Sequence, residues 1–164
     1  MGKKIGPNPT DRAKGGVKRS VLTEASGIPV GLVVAGANRH DMKLVDATLS
    51  SVPTRIQTQR HTTLVYLQAA GRAQGLCMDA AYDADEVRAI ASEFGYTTHI
   101  RGRGAEKQAC QAGDKARRWV VERTHSWLNR YRRLLVRWEK RAVNYLALLH
   151  LACALLTWNK CLFG

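Results

Sequence analysis

Between Lys115 and Asn159 apolar side chains recur at the period of an α-helix, and no other stretch constrains the fold as strongly. Along the helix predicted from about Lys115 to about Arg137, Val120, Thr124, Trp127, Leu128, Tyr131, Leu134, Leu135 and Trp138 fall on one face, a core stripe. A second helix is predicted from about Val143 to Asn159, with Tyr145, Leu148, Leu149, Ala152, Leu155 and Leu156 facing inward. Its most apolar part, Tyr145 to Trp158, is interrupted by His150 and falls short of the roughly 20 residues that cross a bilayer. A short link near Lys140 and Arg141 lets the two helices fold back as a hairpin around a common core.

Upstream the pattern changes. Residues 1–16, rich in Gly and Pro, predict a loop. Arg19–Thr23 and Val30–Ala35, separated by Ser26-Gly27-Ile28-Pro29, predict a β-hairpin turning near Gly27. Asn38 or Asp41 is placed to cap a helix carrying Met42, Leu44, Val45 and Leu49. Residues 51–74 form a polar, variable connector. Gly75–Met78 is a short buried-strand pattern ending at Asp79. A helix opening at Asp83 or Asp85 turns Val87, Ile90, Ala91 and Phe94 inward and stops at Gly95, and Thr97–Ile100 is a further strand. The order is α/β, with parallel strands on either side of the Asp83 helix, and 164 residues suit one domain.

The net charge of +13 favours polyanionic partners, and its placement sharpens that expectation. Residues 1–19 carry Lys3, Lys4, Arg12, Lys14, Lys18 and Arg19 against Asp11 alone. Residues 101–141 carry thirteen Lys and Arg against Glu106, Asp114, Glu122 and Glu139. Two basic clusters make a footprint for phosphate. Cys77, Cys110, Cys153 and Cys161 include no C-x-x-C pair, which argues against a zinc site. Cys77, Cys153 and Cys161 sit in apolar runs, as small core residues of a reducing cytoplasm do.

Two carboxylates stand where chemistry is feasible. Asp79 ends a predicted strand, at the sheet edge where open α/β folds bind ligands. Glu122 faces away from the apolar stripe, among Arg118, His125, Asn129 and Arg133. Pattern alone favours a turn carboxylate for Asp79 and a solvated helix face for Glu122, where it pairs along the helix. Convergence of the two would instead suit phosphoryl transfer assisted by metal ions.

Longer strings carry a resemblance. Gly6-Pro-Asn-Pro-Thr-Asp-Arg-Ala-Lys-Gly15, Gly27-Ile-Pro-Val-Gly-Leu-Val-Val-Ala-Gly-Ala-Asn-Arg-His-Asp41, Leu76-Cys-Met-Asp79, Tyr82-Asp-Ala-Asp-Glu-Val-Arg88 and Arg117–Leu134 resemble DDE transposases of the insertion sequence five family, and the likeness runs on to Trp158. The resemblance implies a ribonuclease-H-like mixed sheet followed by two long C-terminal helices, and DNA transposition with a divalent metal, usually Mg2+. It places the second acidic residue at Asp79 and the glutamate at Glu122, both catalytic and metal-binding. Arg118 matches the arginine that often precedes that glutamate. The implied partner is double-stranded DNA at insertion-element ends. The candidate contacts are Arg118, His125, Asn129, Arg130, Arg132, Arg133 and Arg137, together with Lys14, Lys18 and Arg19.

Three departures qualify it. The family's first aspartate lies on an opening strand upstream of the Gly-Pro-Asn-Pro string, and neither Asp11 nor Asp41 matches it. The usual N-terminal DNA-recognition region has no counterpart. Ala80-Ala81 replaces a frequent Lys-Gly, which matters if that backbone needs a positive φ. The expectation is therefore a truncated catalytic domain over 1–164 whose sheet lacks its opening strand and whose hairpin and parallel pair share no neighbour. An upstream-frame product would be the partner supplying that strand. A non-catalytic DNA-binding protein competing with full-length transposase is the alternative, and a nuclease using a substitute carboxylate is a second.

Overall fold

A computed structural model describes residues 4–53, 74–100 and 119–163. The predicted connector falls mostly outside them, as do Cys110, Arg118 and the helix start at Lys115. The chain divides into two compact units, one formed by Met1–His40 with Val120–Gly164 and the other by Asp41–Trp119.

In the first unit, β1 (Gly6–Pro7), β2 (Gly15–Thr23) and β3 (Pro29–Gly36) make an antiparallel sheet in that order. The predicted hairpin is present but longer than expected, running in register from Val17 opposite Gly36 to Leu22 opposite Gly31. Residues 1–16 are not wholly loop, because Gly6 and Pro7 pair with Gly16 and Gly15. Proline is tolerated there because β1 is an edge. Close approach is possible only without side chains: a Cβ on Gly36 would lie 2.8 Å from Asn38 Oδ1 and 3.0 Å from the Gly6 nitrogen.

The hairpin tip is tied down. Gly27 is buried at φ +91°, a conformation that suits glycine. The hydroxyl of Thr124, itself fully buried, donates to the Gly27 carbonyl at 2.7 Å, and Arg123 donates to the Ser26 carbonyl at 2.8 Å.

Helix α3 (Trp119–Asn129) ends at Asn129, short of the predicted end near Arg137, and a single turn, α4 (Arg132–Leu135), follows. The Arg130 amide bonds back only three residues, to Trp127, and Tyr131 is extended at ψ 102°. That break divides the predicted apolar stripe. Leu128 and Leu134 stay buried, whereas Leu135 and Trp138 are 60% and 79% exposed. The last helix, α5 (Ala142–Phe163), is longer than predicted. At 22 residues it is long and apolar enough to cross a bilayer, so its predicted shortness does not hold. Here its Tyr145, Leu149 and Ala152 join Leu32, Val34, Leu128 and Leu134 in the core of the unit. The expected packing of the two C-terminal helical regions around one core is thus present, with Val136–Arg141 as the link.

The second unit contains a 3-10 turn (Met42–Leu44), α1 (Val45–Ser50), β4 (Gln74–Met78), a 3-10 turn (Ala80–Tyr82), α2 (Asp85–Glu93) and β5 (Tyr96–Ile100). Asp41 precedes the first turn but makes no side-chain cap bond. Strands β4 and β5 pair in parallel, Leu76 opposite Thr98, with α2 as the crossover. Val87 and Ala91 are buried on α2, and Gly95 at φ +77° ends the segment as expected. The described strands therefore form two separate sheets, of three and two strands, with none shared between them. The cysteine expectation fails in part. Cys77 and Cys161 are exposed, one on the open face of β4 and one in the last turn of α5, and only Cys153 is half-buried.

Candidate functional site

Asp79 follows β4 directly, so it lies at the carboxyl end of a parallel strand pair and is exposed. Its backbone is extended (φ −70°, ψ 158°), and its carbonyl accepts the Tyr82 amide at 2.9 Å, closing the turn that carries Ala80 and Ala81. Neither alanine has a positive φ, so replacement of glycine introduces no strain there. Tyr82 is half-buried, and burial, then the charges of Asp41 and Asp79, push its phenol up to about 12. Asp41 thus shares the surroundings of Tyr82 with Asp79, a neighbour that sequence spacing did not suggest. Asp83 pairs with Arg88, which also reaches Thr98 at 3.4 Å and so braces the loop after Asp79 against β5.

Glu122 lies in the first turn of α3 and is exposed, on the outward side that periodicity predicts. The cations and amides grouped with it in sequence separate into two sets. Arg130, Arg132 and Arg133 are exposed, and Lys14 is exposed beside Asp11 at 3.5 Å. Lys18 donates to the Arg39 carbonyl at 2.9 Å.

Arg19, Asn129 and Arg137 are instead engaged within the fold, and His125 is half-buried. Arg19 Nη2 donates to Asn129 Oδ1 at 2.6 Å, and its Nη1 is buried with no bonded partner. His125 is half-buried, and burial and then the Arg19 charge lower its pKa, so the neutral ring is favoured. Arg137 donates to the Glu139 carbonyl at 2.9 Å and lies over the Tyr145 ring at 5.5 Å. For Arg19 the reason is geometric: its guanidinium, carried on β2, reaches Asn129 at the end of α3.

Beyond the end of α3, Arg132, Arg133, Trp138 and Glu139 line an open pocket of about 340 Å3. The helical pattern hid it by assigning Trp138 to the core. The signal available in the sequence was an aromatic residue set among arginines.

Carboxylate oxygens suit a hard divalent cation. Among the described residues, however, no three of His, Cys, Asp and Glu converge as a metal-binding group. Asp79 and Glu122 are residues of that donor chemistry and would be the ones to hold such an ion.

The described residues form a mixed α/β chain with one acidic residue at the end of a parallel strand and another on a later helix. Residues 2–157 match the family described as "Transposase DDE domain", and the chain belongs to that family. It is 36% identical over 156 residues to a protein of Burkholderia cepacia described as "Putative transposase for insertion sequence element IS402". The match covers 95% of this chain and 69% of that relative. No solved structure matches.

Proposed function

We propose that the chain is part of an insertion-sequence transposase of the insertion sequence five group, a ribonuclease-H-like domain that cleaves and joins DNA. Asp79 and Glu122 are its two acidic catalytic residues. The observation that carries this reading is the position of Asp79, exposed at the carboxyl end of β4 where a reacting phosphate has access. A divalent ion, Mg2+ in the usual case, would supply activation of the attacking oxygen and stabilisation of the leaving one. The chain's own contribution is to hold two carboxylates on separate elements and to neutralise the DNA backbone with Arg130, Arg132 and Arg133.

In the family resembled, the third carboxylate lies on an opening strand upstream of the Gly-Pro-Asn-Pro string, and among the described residues the two sheets share no strand. The test is a purified chain offered element-end DNA and Mg2+, alone and fused to an added opening strand bearing an aspartate. The chain alone should neither cut nor join. The fusion should do both and lose activity in Asp79→Asn and Glu122→Gln. Activity of the unfused chain, or a fusion indifferent to both substitutions, would overturn the assignment. The alternative is a DNA-binding competitor of full-length transposase, for which the exposed Arg130, Arg132 and Arg133 would suffice. An inactive fusion that still binds DNA would select it.

A further inference from the structure

The two ends of the β2–β3 hairpin differ in what holds them. At the Gly27 end the turn is bonded to α3 through Thr124 and Arg123. At the opposite end the connection Asn8–Lys14, between β1 and β2, projects past Gly36, the last residue of β3. Every residue from Pro9 to Lys14 is exposed, yet the projection has a fixed shape. The Asn8 amide donates to the Lys14 carbonyl at 2.8 Å, and the Lys14 amide donates to the Asp11 carbonyl at 2.9 Å. The Thr10 amide and hydroxyl both donate to Asn8 Oδ1. Arg12 and Ala13 are held at φ +47° and +58°, left-handed conformations that a Cβ disfavours. Charge collects at the same end. Arg12 and Lys14 stand on the projection, where Asp11 is the one acidic residue and faces Lys14 at 3.5 Å. Lys18 donates to the Arg39 carbonyl at 2.9 Å, which draws the turn after β3 alongside β2. Lys4 and Arg39 are exposed. Among the described residues the side chains of Lys4, Arg12 and Arg39 make no ion pair.

We propose that this end of the sheet is a second DNA-contacting surface, which sets Arg12 and Arg39 against the phosphates of a duplex. The inference rests on the DNA-binding part of the function given above and adds a surface far in sequence from Arg130, Arg132 and Arg133. A loop already fixed by its own hydrogen bonds loses little conformational freedom when it binds. Backbone strain of the kind found at Arg12 persists where the surrounding structure enforces it, and it clusters at functional positions. A duplex fits better than an anionic bilayer, because Pro9 to Lys14 offers no aromatic or long aliphatic side chain to enter the lipid. Contacts of this type go to phosphate, so they position the DNA without reading its sequence.

The experiment measures binding of the full chain to a DNA duplex over a range of salt, and to phosphatidylserine vesicles. Arg12→Gly and Arg39→Gln should each weaken duplex binding roughly fivefold at physiological salt. Each should also make the plot of log affinity against log salt shallower by about 1. Glycine suits the left-handed backbone at Arg12, so Arg12→Gly should melt no lower than the parent, and its loss of affinity is then not a loss of folding. Arg12→Lys, which keeps the charge, should retain most of the affinity. Parental affinity and slope in both Arg12→Gly and Arg39→Gln, with binding lost when Arg130, Arg132 and Arg133 are changed to Gln, overturns this surface and leaves the proposed function standing. A loss in Arg12→Lys as large as in Arg12→Gly overturns the phosphate contact. Vesicle binding that depends on Arg12 while duplex binding does not assigns the surface to a membrane and overturns it as well. Failure of the parent chain to bind DNA at all removes both.

Discussion

The two compact units of this chain bury their sheets with unequal means. The unit containing the β2–β3 hairpin presses Leu32 and Val34 against Leu128, Leu134, Tyr145, Leu149 and Ala152, side chains drawn from three helical segments distant in sequence. Among the described residues of the unit containing Asp79, the buried apolar side chains are Leu44, Val45, Leu49, Val52, Leu76, Val87 and Ala91. On one face of its parallel pair Gly75, Cys77, Thr97 and His99 are exposed, whereas parallel sheets are ordinarily buried on both faces. The difference teaches that the candidate carboxylates stand on differently built supports: one unit carries Glu122 and the arginines after it, and the other presents Asp79.

The sharpest way to break that contrast is to attack the stronger core. Leu128 and Leu149 have no solvent exposure, so Leu128→Ala should cost about 2–5 kcal/mol. Hydrogen exchange should show the loss in β2, β3 and α5 first. Equal loss in β4 and β5 would mean that the two units melt as one. The complementary change, Val87→Ala, removes a side chain that is 1% exposed and should cost about 2 kcal/mol. Its effect should appear in the amides of β4 and β5 before any change near Leu149. The reverse order would make the second unit the firmer one.

Acidity should separate the units by a smaller amount. Because the folded pKa of His125 lies below its ordinary value, the unfolded chain binds the proton more tightly. Stability from this group is complete above the unfolded value near 6.5 and declines as pH falls below it. The melting temperature should therefore drop between neutral pH and pH 5, and His125→Gln should flatten that slope. An unchanged slope would remove Arg19 and burial as its cause. The smallest effects are expected from Asp79→Asn and Glu122→Gln, which alter exposed side chains and should stay within about 0.5 kcal/mol of the parent. A large loss in either would identify a structural carboxylate and take away the physical support for its catalytic role.

Several elements were legible before any coordinates. Gly27 and Pro29 marked the hairpin turn, Val87 and Ala91 lay at helical spacing, and Asp79 terminated an apolar run. These features depend on local backbone preference and side-chain period, which the order of residues determines by itself. Glu122 likewise faced outward because α3 is regular through its position. The long strings shared with transposases carried the family in the same way.

Tertiary structure decided what happens where a local pattern has two solutions. Arg130 and Tyr131 continue the 3.6-residue period, yet the chain breaks there, brings Leu134 into the core and leaves Leu135 and Trp138 outside. Periodicity records which residues are apolar but not how many a finite core has room to bury. The same holds for charge. Arg19 and Arg133 were equivalent members of a basic cluster in sequence, but one meets Asn129 beneath a helix while the other stays exposed beside Trp138. Which cation remains at the surface depends on the element packed above it, and that packing joins residues more than a hundred positions apart, beyond the reach of any local signal.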